Sequence, residues 1–505
     1  MIARLADRMA GTWSSAQRIT AGVFLGLTTA AGQSPWSLPV ISLLALFLIL
    51  SVYIKIEDTK RAAWFGWFVG FGFFATTMFW IVEPFLVEPE RHGWMAPFAL
   101  VFMAGGLALF WALGFGLAAR ISQGRTRRLV ALLVCFGLAE MTRSYALTGF
   151  PWGLLGYIWV ETPLIQLTAF IGLHGLGFLT LGIVSLPVMF SKRWVGFGLS
   201  GLVLASAWGI GWSRLALEDI PRLETVNLRL IQPNASQREK WDPRFIPMFF
   251  QSQLELSASV SGVSPDLVIW PEASIAPWLD SEPETQKQIA QAVGPNARAI
   301  LGLRRIEGSR YYNSLAVLDD QGVATDIYDK THLVPFGEYI PFGDLFSKFG
   351  IYGLASSEGG GFTSGKKAQL IDLGRAGKVL PLICYEAIFP QMSRFTSDRP
   401  DWILQLTNDA WYGDLAGPQQ HLAQARVRAV EQGLPLVRVA NTGVSAVIDS
   451  RGRIIDHLPL GRMGFLDAEV PGVLPQTFYS KTGDLGVLLF LLAGLSALAV
   501  AGRRK

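Results

Sequence analysis

The sequence predicts two kinds of structure in one chain: a multi-span α-helical membrane domain and an α/β layered domain. Three observations carry this reading. Hydrophobic residues make up 51% and charged residues only 16%, against roughly 25% charged in an ordinary soluble protein. The apolar residues gather into runs of about 20, the length of helix that crosses a bilayer. Between about 220 and 475 the charge density becomes ordinary, and short β-branched runs alternate with helix-like stretches. Alternation of that kind argues for strands and helices in layers. The expected division is 1–218 with seven spans, 219–477 as the α/β domain, and 478–505 as a last span and tail.

The spans are placed near 17–34, 36–54, 63–85, 94–119, 128–146, 164–190, 194–213 and 485–501, eight in all. Charge in the short loops orients them. One set of loops carries Arg4, Arg8 and Arg18; Lys55, Lys60 and Arg61; Arg120, Arg125, Arg127 and Arg128; Lys192 and Arg193; and Arg503, Arg504 and Lys505. The alternate loops are nearly free of Lys and Arg and hold Glu83, Glu88, Glu90 and Glu161. The alternation is unbroken when both termini are cytoplasmic, which puts the α/β domain on the other face. The basic start and small residues TTAAG also resemble a cleavable signal peptide, but cleavage would break that alternation. Glu140 and Arg143, near the end of the fifth span, are costly in lipid. Their spacing suits a mutual clamp, with lipid head-group binding as the alternative.

In the α/β domain the strand candidates are 226–232, 266–272, 299–305, 313–319, 379–386, 401–409, 436–443 and 445–450, with helices at 243–262, 283–293 and 416–433. Strands apolar on both faces are expected to lie in sheets covered on both sides. The loops 348–362 and 409–417, rich in Gly and aromatics, read as lids or arms meeting lipid. The net charge of +4 belongs largely to the membrane loops, and no basic patch interleaves with aromatics, so nucleic-acid binding is not expected.

The chain has two cysteines. Cys135 falls in a span, so Cys384, in VLPLICYEAIFP, is the only thiol of the external domain and cannot form a disulfide within it. Filler of an apolar core and reactive thiol are both open for it. Two other strand ends also break the apolar pattern: WPE ends in Glu272, and IYDKTHLVPFGEYIPF carries Lys330 and then Glu338. Each could be a paired or solvated charge. Together they supply a base, a cation and a nucleophile, the set that covalent acyl transfer requires. His332 has no second ligand at metal spacing, so no metal and no cofactor are expected.

WPE, DKTHLVPFGEYIP and ICYE, in this order, resemble the Glu–Lys–Cys signatures of the nitrilase superfamily, and with eight spans the whole chain resembles the bacterial apolipoprotein N-acyltransferase family. TGFPWGLLGY (148–157), IQPNASQREKW (231–241), TNDAWYG (407–413), QHLAQARVRAVEQGLPLVRVANTG (420–443) and SKTGD (480–484) extend the match along the chain. The resemblance implies a nitrilase-like α-β-β-α sandwich on an eight-helix bundle in the bacterial inner (plasma) membrane, with the catalytic domain periplasmic. It implies transfer of a fatty acyl chain from a phospholipid, phosphatidylethanolamine being the expected donor, through a Cys384 thioester. The acceptor would be the α-amine of a diacylated apolipoprotein's N-terminal cysteine, and the enzyme would act as a monomer among membrane lipids. Glu272 would be the base, Lys330 an oxyanion partner and Glu338 an auxiliary acid. Trp241, Tyr385 and Glu386 match positions the family requires; for the last two, ordering the nucleophile's loop and direct chemistry are alternatives. Trp411 and Tyr412 are candidate substrate contacts. The rivals are a membrane-tethered amidase that passes the thioester to water, and a transporter or scaffold with an inactive remnant.

Overall fold

The computed structural model describes residues 14–222, 224–275, 283–341, 361–394 and 398–503. The chain divides into two units, Met1–Leu217 with Thr477–Lys505, and Glu218–Gln476.

The first unit is helical: α1 (Ser15–Ala30), α2 (Pro39–Tyr53), α3 (Thr59–Thr77), α4 (Ala96–Ile121), α5 (Arg125–Tyr145), α6 (Thr168–Met189), α7 (Arg193–Leu215) and a final helix, Leu485–Arg503. Each apolar run read from the sequence carries one of them. Three stretches, Pro89–Ile121, Pro163–Met189 and Arg193–Leu215, are long and apolar enough to cross a membrane, and a fourth arises if Thr59–Thr77 and Phe79–Leu86, bent by 65°, form one span. The termini are set locally: Ser14 and Gln17 close a capping box on α1 and Asp58 caps α3, satisfying amides that a helix start leaves over. α1 and α3 meet backbone to backbone. A Cβ on Gly26 would lie 1.9 Å from the Val69 carbonyl, and one on Gly72 would lie 2.0 Å from the Val23 carbonyl. Small residues permit such approach, as in helix pairs packed without a hydrophobic drive. Many large apolar side chains point outward, among them Phe102, Trp194, Leu202 and Trp212.

Glu140 and Arg143 form the expected pair. Arg143 Nη2 lies 2.8 Å from Glu140 Oε2, Trp111 Nε1 donates to Glu140 Oε1 at 3.0 Å, and Arg143 Nη1 donates to the carbonyls of Phe150 and Trp152. Both are buried. The clamp ties α5 to α4 and to the segment that follows α5.

The second unit is an α-β-β-α sandwich of two six-stranded sheets. The first contains β1 (Asn227–Gln232), β2 (Leu267–Ile269), β3 (Arg298–Glu307), β4 (Arg310–Leu318) and β5 (Ala324–Asp329); the second contains β6 (Ile371–Asp372), β7 (Lys378–Ile383), β8 (Trp402–Thr407), β9 (Leu436–Ala440), β10 (Ser445–Ile448) and β11 (Ile454–Leu458). β12 (Gly464–Glu469) returns to the first sheet beside β1, giving the orders β12-β1-β2-β3-β4-β5 and β11-β10-β9-β8-β7-β6. Each sheet has a parallel trio at its centre, β1-β2-β3 and β7-β8-β9, flanked by antiparallel strands. The central strands are buried along their length, as expected where both faces are covered. One outer layer is α8 (Ile246–Ala258) and α9 (Pro283–Val293): Ile289 and Val293 join Val268, Trp270, Leu301 and Leu318 in one core cluster, with Leu254 packed against it. α10 (Gly417–Gln432), buried along most of its length, covers the second sheet. Between the sheets, Gln232 of β1 accepts from the Ser445 hydroxyl of β10 at 2.6 Å.

Of the two loops read as lids, most of 348–362 lies outside the described residues. The other, 409–417, is partly interior: Asp409 and Ala416 are fully buried, because Asp409 pairs with Arg438 and His421 in the core.

Candidate active site

Parallel strands deliver their side chains to one edge, the edge at their C-terminal ends, where open α/β sheets place their sites. Three ionisable residues follow strands of the second unit directly. Glu272 stands three residues beyond β2, Lys330 one beyond β5 and Cys384 one beyond β7. The chain turns sharply at two of these points: Ala273 has φ 48° and Cys384 φ 49°. Left-handed conformations at residues with a Cβ are uncommon and collect at functional sites.

The structure joins Glu272, Lys330 and Glu338 in one buried cluster. Lys330 Nζ donates to Glu338 Oε1 at 3.0 Å and to Glu272 Oε1 at 3.5 Å. Asn313, on β4, bridges the same two oxygens, donating at 2.8 Å to Glu272 and 2.9 Å to Glu338. The remaining carboxylate oxygens are held by backbone. Asn408 N–H donates to Glu272 Oε2 at 2.8 Å, and Val334 N–H to Glu338 Oε2 at 2.8 Å. Burial works against the charge of Lys330, but Glu338 and Glu272 more than offset it and hold the ammonium above its ordinary value. Cys384 is likewise buried. Burial first, and the Glu272 charge second, push its thiol up to about 12 against the pull of Lys330. The thiol is therefore protonated at neutral pH, and its attack on a carbonyl requires a base. Glu272 is the carboxylate whose charge bears on it most.

Glu386 is fully buried and accepts five hydrogen bonds. Its Oε1 receives Tyr328 Oη at 2.9 Å, Thr331 N–H at 2.7 Å, Thr331 Oγ1 at 2.8 Å and His332 N–H at 3.1 Å; its Oε2 receives Ile383 N–H at 2.8 Å. One carboxylate thus ties the residues after Lys330 to the residue before Cys384. Burial pushes its pKa up, with those donors and the Lys330 charge opposing. Tyr385 is buried and packs edge-on to Phe389 at 5.0 Å, an anchor for the same turn. Tyr412 brings its hydroxyl to 3.5 Å from Cys384 Sγ.

Trp241 lies at the margin. Arg304 stacks on its ring at 4.0 Å, and its neighbour Lys240 donates to the Glu272 carbonyl at 3.2 Å. Burial pulls the Lys240 ammonium down to about 8 against the attraction of Glu272. Trp411 is half-buried on the Asp409–Trp411 turn and, among the described residues, takes no part in the hydrogen bonds around Glu272, Lys330 and Cys384. Asn313, Asn408 and Lys240 escaped the sequence reading. Asn408 lay inside TNDAWYG and Lys240 beside Trp241, so motifs marked both; Asn313 stood in an apolar run, NSLAVLD, with only its polarity in a buried strand to single it out.

The α-β-β-α sandwich is the fold of the carbon–nitrogen hydrolase class, the nitrilase superfamily. A carbon-nitrogen hydrolase family model matches residues 237–476, and a model of the apolipoprotein N-acyltransferase N-terminal domain matches residues 25–186. An apolipoprotein N-acyltransferase of Rhodopseudomonas palustris is 39% identical over 455 residues, covering 85% of this chain and 84% of its own length. That of Bradyrhizobium diazoefficiens is 38% identical over 524 residues, with coverage of 98% and 96%. Among solved structures, an amidase from Nesterenkonia sp. aligns over 54% of this chain and 98% of its own at 16% identity and a TM-score of 0.38. The chain belongs to the apolipoprotein N-acyltransferase family.

Proposed function

We propose that the protein transfers a fatty acyl chain from a phospholipid to the α-amine of the N-terminal diacylglyceryl-cysteine of an apolipoprotein, in two half-reactions through a thioester on Cys384. The observation that carries the reading is the single buried cluster of Glu272, Lys330, Asn313 and Glu338, whose Glu272 and Lys330 charges bear on the thiol of Cys384. In the first half, Glu272 takes the thiol proton as sulfur adds to the ester carbonyl. Lys330 and a backbone N–H beside Cys384 stabilise the oxyanion, at about 3–4 kcal/mol per donor. The carbon–oxygen bond then breaks, the lysophospholipid alkoxide recovers the proton from Glu272, and the acyl group remains on sulfur. In the second half the amine adds to the thioester, Glu272 accepts its proton, and the amide forms as the thiol leaves. Splitting the exchange lowers each barrier.

In this reading Glu338 keeps Lys330 charged and in place, while Tyr385 and Glu386 order the nucleophile's turn. Trp241, Trp411 and Tyr412 lie on the substrate side. The helical unit provides eight spans, 1–218 and 478–505 flanking the α/β domain at 219–477, with that domain periplasmic and both termini cytoplasmic in the inner membrane. Its outward apolar side chains suit lipid, and the donor would be phosphatidylethanolamine, served by a monomer. The test is intact mass after incubation with phospholipid and no acceptor. Wild type gains one fatty acyl group, labile to hydroxylamine, and Cys384→Ala gains none. Turnover without that adduct would defeat the covalent scheme.

A further inference from the structure

Four buried side chains that the scheme leaves unused converge on the carbonyl of Cys384. His421, on α10, brings Nε2 to 3.1 Å from that oxygen, and Gln405, on β8, brings its amide nitrogen to 3.4 Å. His421 Nδ1 faces Asp409 Oδ1 at 2.9 Å. Arg438, on β9, forms an ion pair with Asp409 and donates from Nη1 to Gln405 Oε1 at 2.7 Å. That last bond fixes the orientation of the Gln405 amide: its oxygen faces Arg438, so its nitrogen faces the carbonyl. Thr407 adds a donor to Asp409 Oδ1 at 3.0 Å. All four side chains are fully buried.

The groups on either side of the ring decide what the ring does. Burial first, and the Arg438 charge second, pull the His421 pKa down and favour the neutral ring; when it holds the carbonyl its proton is on Nε2, and Nδ1 accepts from Arg438 Nη2, 3.3 Å away. When it gives a proton to Asp409 alone, its Nε2 can accept from Gln405, 3.0 Å away, and the Gln405 amide also reaches the carbonyl. Either way an N–H from this network faces the Cys384 oxygen. Burial raises the pKa of Asp409, but Arg438 and His421 more than offset it and hold it well below the usual carboxylate range. A fully satisfied buried network of this kind specifies one geometry.

What that geometry fixes follows from the peptide bond. The unit between Cys384 and Tyr385 is planar, so its carbonyl and the Tyr385 N–H point in opposite directions along one plane. Cys384 combines a left-handed φ with the first position of the short 3-10 turn Cys384–Ile388, so the contacts from His421 and Gln405 add to that turn in holding its carbonyl. An oxyanion donor works only if it is already aimed when charge develops.

We propose that His421, backed by Asp409, Arg438 and Gln405, is the positioning residue of the oxyanion site: by gripping the Cys384 carbonyl it fixes the peptide plane and aims the Tyr385 N–H. This rests on the thioester reading above. The network makes no hydrogen bond to Glu272, the thiol's base; besides the peptide unit it bears on the thiol through the Asp409 charge and the Thr407 hydroxyl, and His421 packs edge-on to Tyr412 at 5.6 Å.

Two reactions of the same thiol test it. In alkylation by iodoacetamide, sulfur displaces iodide, a carbon–sulfur bond forms, and the thiol proton goes to base; no oxygen takes up charge. In acylation from phospholipid, sulfur adds to a carbonyl whose oxygen becomes an anion. Both rates are read by mass on the peptide carrying Cys384, from the full-length enzyme in mixed micelles, so that Cys135 does not contribute. His421→Asn cannot reach the carbonyl and should lower the acylation rate about 100-fold, with alkylation within about twofold. His421→Gln carries an amide nitrogen near the place of Nε2 and should return acylation to within about tenfold of wild type. Wild-type acylation in His421→Asn would overturn the proposal. So would equal losses in both reactions, or equal behaviour of the two variants, since those mark a merely structural role. A wild-type enzyme that is alkylated but never acylated would overturn the thioester reading itself, whatever the variants do.

Discussion

Replacing Glu386 by glutamine exchanges one oxygen for an NH2 group at a site that supplies only donors. The side chain accepts five hydrogen bonds in a fully buried position. If the amide oxygen takes the Oε1 place, its four bonds survive without charge assistance, a loss of roughly 0.5–1 kcal/mol each. The NH2 then faces Ile383 N–H, and that unsatisfied donor costs about 1–3 kcal/mol. The sum, about 3–7 kcal/mol, falls on the turn that links Lys330 to Cys384. For a domain of this size it corresponds to a fall in Tm of roughly 6–28 °C. The assay is thermal unfolding of the purified enzyme in detergent, with acyl transfer measured at a temperature where both proteins are folded. Activity should fall at least about 10-fold there, because the clamp fixes the nucleophile relative to its cation. A Glu386→Gln enzyme with wild-type Tm and normal kcat would refute the reasoning. Normal Tm with lost activity would instead assign Glu386 to the chemistry.

Further outcomes follow from other contacts. In Glu272→Gln, burial still holds the Cys384 thiol high, so its alkylation by iodoacetamide should climb about tenfold per pH unit from pH 7 to 9 as thiolate accumulates, while acyl transfer falls about 10²–10⁴-fold; a plateau below about pH 8.5 would contradict this. In Gly302→Ala the new Cβ would lie 2.2 Å from the Pro271 carbonyl and 2.5 Å from Glu272 Cα, so the strand end bearing Glu272 must shift. The expected cost is about 1–3 kcal/mol of stability with a kcat at least about 10-fold lower, and an unchanged kcat would show that Glu272 tolerates displacement. Arg143→Met strands the Glu140 carboxylate in a buried place and should cost about 3–5 kcal/mol, whereas the double variant with Glu140→Gln should recover much of it; thermal unfolding of both variants distinguishes a clamp from a lipid contact.

Much of this architecture is legible in the sequence, for identifiable reasons. Strands buried on both faces, such as WILQLT and LVRVA, show as unbroken apolar runs. The edge strands showed less well. IIDHL is exposed at three successive residues, and ATDIYD carries two aspartates at a sheet edge, so β11 was not placed and β5 was read only as the strand end before Lys330. Glu272, Lys330 and Cys384 stood out because each interrupts an apolar strand end. The partners of those residues did not, since Asn313 meets Glu272 only through strand pairing across the sheet, and His421 meets Cys384 from a helix that reads as ordinary amphipathic cover. Of the segment 409–417, read as a lid or arm, the Asp409 end is turned inward by an ion pair with Arg438, 29 positions away, which no local pattern shows, while Asp414 and Leu415 stay exposed.

The central claim is that the acyl group on Cys384 is the one delivered to the lipoprotein amine. The direct measurement is a chase: acyl-enzyme is formed with isotopically labelled phospholipid, freed of donor, and mixed with a peptide bearing an N-terminal diacylglyceryl-cysteine. Quenched samples are followed by mass. The label should leave Cys384 and appear as an amide on the peptide, at a rate no slower than kcat. Label released as free fatty acid with no acylated peptide, or an acyl-enzyme that decays more slowly than turnover, would contradict it.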